Sequence, residues 1–136
     1  MEDSALITLL NRLLEAERAG AKVLAAFLDE YDPASDAWHK LREVQRDESK
    51  NCVILMDLIT RSGGTPSHAT GDFLEKALAI EGRLERLKFL NRGQAWVVRK
   101  IGEVLPDLAP GPLHDALAEM HRSHESNIAA CDLLCA

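Results

Sequence analysis

LNRLLEAERAGAKVL, residues 10–24, sets leucines three and four positions apart, the spacing of one face of an α-helix, and then places Glu17 in that same face. The stripe continues outward through Leu6 and Leu9 on one side and Ala21, Leu24 and Leu28 on the other. An isolated carboxylate at a core position is strongly unfavourable unless it is paired, protonated or bound to a cation. This one segment therefore raises both the question of the fold and that of the function.

The surrounding chain repeats the pattern. Breakers divide it into four helical segments, of which the first runs over about residues 4–29 and stops at "DEYDPASD". Asp32 as N-cap and Pro33 at the first position predict a second helix over 33–62. "SGGTPSHATG" interrupts, and Asp72 followed by Glu75 resembles a capping box opening a third helix over 72–105, although Gly82, Gly93 and Gly102 argue against its being straight. "PDLAPGP" ends that helix, and Pro112 opens a fourth to about residue 134.

Composition agrees with an all-α reading. The 136 residues carry 46% apolar side chains and only six aromatic ones, a mix that packs helix on helix and suffices for one domain, residues 1–136. The net charge of −6, with Lys and Arg interspersed among Asp and Glu, argues against a nucleic-acid partner. No apolar run reaches membrane length, and the first residues lack a basic leader, so neither a membrane span nor a signal peptide is expected. Cys52, Cys131 and Cys135 form no metal clip or disulfide framework; they read as small core hydrophobes in a cytoplasmic protein.

Polar residues recur near the middle of each stripe. Glu48 lies among Leu41, Val44, Leu55 and Leu58. Glu81 shares a face with Ala77, Leu84, Leu87 and Val98, with Glu85 one turn on, and either could point inward. His121 and His124 fall on the face marked by Leu117, Met120, Ile128 and Cys131. Any one of these could sit at a stripe edge and reach solvent. Together, Glu17, Glu48, Glu81, His121 and His124 are a candidate metal set, because carboxylate and neutral imidazole suit Fe, Mn and Zn.

The stretches "LNRLLEAERAGAKVL", "VQRDESKNCVIL", "LERLKFLNRGQAWVVRKI" and "ALAEMHRSHESNIAAC" resemble the ferritin-like superfamily, in particular small rubrerythrin-like and uncharacterised bacterial members. The resemblance implies a four-helix bundle whose second-to-third connection runs along the bundle. It also implies a di-metal site of two single glutamates and two Glu-x-x-His motifs. Glu17 and Glu81 match the single glutamates; Glu48 is followed by Asn51 where a histidine belongs, and His124 is preceded by His121 where a glutamate belongs. With both motifs broken, the resemblance implies a mononuclear or asymmetric site that handles oxygen or peroxide. The alternative is a non-enzymatic helical module that has lost its metal and acts through partners. "AWVVRKIGEVL" is apolar on several faces, so Trp96, Val97 and Val98 suggest a homo-oligomer, a dimer in the simplest case. A redox partner leaves no trace in the sequence. The connection of about ten residues reaches only about 33 Å, which leaves an up-down-up-down course equally open.

Overall fold

The computed structural model describes residues 2–135, and every regular element among them is helical. Helix α1 spans Asp3–Leu28, α2 Asp36–Arg61, α3 Phe73–Ala79, α4 Arg83–Val104 and α5 Pro112–Cys135, with a 3-10 turn at Leu105–Asp107. Four of these are long and α3 is a two-turn helix. None is long and apolar enough to cross a membrane.

Helices α2, α4 and α5 each centre on one buried seam, while α1 buries a broader face. In α2 the seam runs Leu41, Val44, Glu48, Asn51, Leu55, Leu58, with Ile59 buried beside it; in α4 Leu87, Leu90, Gln94, Val97, Ile101, Val104, with Asn91 beside it; in α5 Leu117, Met120, His124, Asn127, Cys131. Alternating steps of three and four are the spacing that brings helices together nearly parallel or antiparallel, knob into hole. In each seam the central position is polar.

That polar level divides the apolar core in two. One cluster joins Leu10, Leu13 and Leu14 of α1 to Leu55, Leu58 and Ile59 of α2, Val97, Ile101 and Val104 of α4, and Leu117 and Met120 of α5. The other joins Val23, Leu24 and Phe27 of α1 to Leu41 and Val44 of α2, Leu87 and Leu90 of α4, and Cys131 of α5. The clusters fix the direction of each helix. The start of α1 shares a cluster with the ends of α2 and α4, so α2 and α4 run parallel to each other and antiparallel to α1 and α5.

Parallel α2 and α4 require a connection running the length of the molecule, and residues 62–82 supply it. This crossover climbs along α1: Asn11 Nδ2 donates to the Thr65 carbonyl (3.2 Å) and its Oδ1 accepts from Ser67 N (2.7 Å). Ser67 Oγ donates to Glu15 (2.6 Å), and Arg18 donates to the Ala69 carbonyl (2.9 Å). Helix α3 then lies on the second cluster, Ala77 buried and Phe73 stacked on Phe89 at 4.7 Å. Asn11→Ala removes both of its crossover bonds and is expected to lower stability by about 1–2 kcal/mol, with faster amide exchange confined to residues 65–69.

Several boundaries differ from the sequence reading. α2 starts at Asp36, because Ser35 is the capping residue, accepting from Trp38 N at 3.2 Å, while Asp32 instead closes a local turn on Ala34 N. The third segment is two helices. Ile80 is extended and Gly82 takes a φ of +91°, and Arg86 fastens the corner by donating to the Ile80 and Leu78 carbonyls at 2.7 and 2.8 Å. Asp72 precedes α3 without a side-chain cap bond. The crossover is thus twice the expected length, which removes the reach problem. Val97 is a core residue, Trp96 packs against the first cluster while partly exposed, and Val98 is partly exposed as well. All three cysteines are free, and burial pushes the Cys131 thiol up to about 12, consistent with a core hydrophobe.

Candidate functional site

The central seam positions of the four long helices meet between the two apolar clusters. Glu17, Glu48, Gln94 and His124 are 1–2% exposed, and Asn51, Asn91 and Asn127 flank them. Glu17 and His124 touch directly: His124 Nε2 is hydrogen-bonded to Glu17 Oε1, and Asn51 Nδ2 donates to the same oxygen at 3.4 Å. Asp47 holds α2 to α5 just outside this layer, accepting from Ser123 Oγ and Asn127 Nδ2, both at 3.2 Å.

Four buried atoms of this layer have no hydrogen-bond partner among the described residues: Glu17 Oε2, Glu48 Oε2, His124 Nδ1 and Gln94 Oε1. An unsatisfied buried polar atom costs about 1–3 kcal/mol, and more when charged, so four in one layer form a concentrated stress on the fold. Burial, then the Glu17 carboxylate, then Asp47 raise the pKa of Glu48 well above the ordinary carboxylate range.

Glu48 owes its seat to α1. A Cβ on Gly20 would lie 1.9 Å from Glu48 Oε2, so the carboxylate rests where only glycine leaves room. In an ordinary helix interior Gly→Ala stabilises by about 1 kcal/mol. Gly20→Ala is instead expected to destabilise by about 1–2 kcal/mol through overpacking, and the ordinary gain should return in a Glu48→Ala background, as thermal denaturation of the three variants will show.

The layer floors a cavity of about 310 Å³ between α1 and α4. Its walls are Ala16, Ala19, Leu90, Trp96 and Val97, and the crossover residues Thr70–Phe73 border it. Phe73 leans on Gly93, where a Cβ would come within 2.9 Å of the ring.

Two of the five proposed ligands lie elsewhere. Glu81 is exposed in the turn between α3 and α4, because the helix breaks there and α4 restarts with a new phase. Glu85 is exposed as well and pairs with Lys88. His121 follows Met120, whose side chain takes the seam position, and so sits about 100° off the core direction; it is partly exposed and pairs with Glu125 at 3.1 Å. Because the break between α3 and α4 changes the phase, a stripe phased from Ala77 leaves out Gln94. Counting three and four onward from Leu87 and Leu90 leads to it. Among the described residues, no three His, Cys, Asp or Glu side chains converge in an arrangement that holds a metal ion as they stand.

The fold and this layer define an all-α protein with a polar centre inside an otherwise apolar core. The chain belongs to the family described as Domain of unknown function (DUF6306), which matches residues 4–133. No curated protein and no solved structure matches it.

Proposed function

We propose that the chain is a ferritin-like four-helix bundle whose centre holds one divalent ion, Fe, Mn or Zn, between Glu17, Glu48 and His124. The observation that carries this reading is the level itself. Three side chains of ligand type, from three helices, are buried together, and each retains one polar atom with no partner among the described residues. Two carboxylates and an imidazole suit such an ion once their side chains turn in toward it, and coordination would then remove the stress that burial otherwise imposes. The parallel course of α2 and α4, with a crossover between them, supports the ferritin-like part of the proposal.

A redox-active ion there would supply electrons to oxygen or peroxide. The chain's own residues would bind the ion, and the apolar walls of the cavity would limit water at the floor while leaving a route from the crossover side. Glu48 would lose its proton on coordination, so binding should tighten as pH rises. Titrating metal-stripped protein with Co(II) and following visible absorption tests the assignment. One equivalent should bind, with the signal lost in Glu17→Gln and His124→Gln and kept in Glu81→Gln and His121→Gln. A signal that vanishes with Glu81 or His121 would refute the assignment.

The direct bond between His124 and Glu17 favours a second reading, in which the two satisfy each other and the chain is a metal-free interaction module. In that case the Co(II) titration stays silent in every variant.

A further inference from the structure

The cavity is far larger than an ion or a diatomic oxidant needs. A dry apolar cavity of about 150 Å³ accepts benzene, and this one has about 310 Å³. That lies at the lower end of the range of organic-ligand pockets. Its walls are apolar, and the unpartnered polar atoms of the layer belong to residues that line it.

Among those unpartnered atoms, Gln94 Oε1 is the neutral acceptor whose role its neighbours fix. Its Nε2 donates to Asn91 Oδ1 at 2.9 Å, with a weaker contact to Cys131 Sγ at 3.8 Å. Asn91 is held in turn, its Nδ2 donating to the Ile128 carbonyl at 3.1 Å and to Asp132 Oδ1 at 2.8 Å. This chain of bonds fixes the Gln94 amide with its nitrogen engaged and its oxygen left as an acceptor without a partner.

We infer that the cavity binds a small organic molecule with an apolar body and a hydrogen-bond-donating head, hydroxyl or amine, and that Gln94 Oε1 accepts from that head. A site built to pair a donor rejects the analogue that lacks it, because its acceptor is then left buried and bare. The inference shares the cavity with the metal reading but assigns Gln94 no part in holding the ion, so it is tested on metal-stripped protein.

Binding of 2-phenylethanol, phenethylamine, 2-phenylethyl methyl ether and phenylacetate is measured by calorimetry, with Trp96 on the cavity wall as a fluorescence reporter. At least one donor-headed probe should bind with one-to-one stoichiometry and about tenfold more tightly than the ether. The alcohol and the amine separate a neutral head from a cationic one. Gln94→Leu should abolish the preference, and Gln94→Glu, which keeps an acceptor oxygen, should retain it; circular dichroism confirms that each variant is folded. No binding, equal binding of the ether, preference for phenylacetate, or a preference that survives in folded Gln94→Leu overturns the inference. None of these results depends on whether the protein binds a metal.

Discussion

Replacing His124 with alanine is expected to lower the stability of the metal-free protein by about 3–5 kcal/mol, which for a chain of this size is a fall in Tm of roughly 10–20 °C. The imidazole is the basic group in direct contact with Glu17, and both side chains are 1% exposed. Without it, Glu17 keeps only the long bond from Asn51 and remains beside the buried Glu48 carboxyl. Breaking a buried pair by removing one partner is far more damaging than removing both in favour of apolar side chains. Glu17→Leu combined with His124→Leu should therefore recover most of the loss. Denaturant unfolding of the single and double variants checks both statements, and a change under 1 kcal/mol in His124→Ala would mean that the pair contributes little.

Glu48→Gln should act in the opposite direction, raising the stability of the metal-free protein at neutral pH by about 1–3 kcal/mol. Burial and the neighbouring Glu17 raise the Glu48 pKa in the folded chain, so the folded state takes up a proton that the unfolded chain has released. Stability from this group is complete below the ordinary carboxylate pKa and is lost as pH rises toward its raised folded value. The amide cannot ionise, so the variant should lose that part of the decline. Thermal melts of both proteins between pH 4 and pH 8 test the sign: the curves should approach each other at acid pH and separate with increasing pH. If Glu48 also holds the proposed ion, a substitution there that stabilises the protein while weakening ion binding would be the pattern expected where function opposes stability.

Much of this was legible in the chain because helices announce themselves by period. The leucines around Glu17 and Glu48 put those glutamates within the apolar stripe, which leaves a stripe-edge position open, and both are buried at mid-helix. His124 and His121 differ by three residues on one helix, and an apolar stripe of ordinary width admits both; only packing shows that Met120 and His124 hold successive seam positions, with His121 turned aside. Glu81 lies outside the seam for a different reason. Ile80 and Gly82 break the helix through backbone conformation, and a glycine's φ of +91° is not visible in a hydrophobic pattern. The same break hid Gln94 and the true length of the crossover. The crossover's course depends on bonds from Asn11, Glu15 and Arg18, polar residues that a sequence reading assigns to a solvated face.

The proposal of a metal at the centre of the layer is tested most directly by metal content. Tag-free protein is analysed by mass spectrometry as purified and after anaerobic loading with Fe, Mn or Zn, beside a variant carrying Glu48→Gln and His124→Gln. About one equivalent of ion per chain, absent from the folded variant, is the result predicted for a single site. Near-zero metal in both proteins under every loading condition would contradict it and leave the layer as a metal-free polar core.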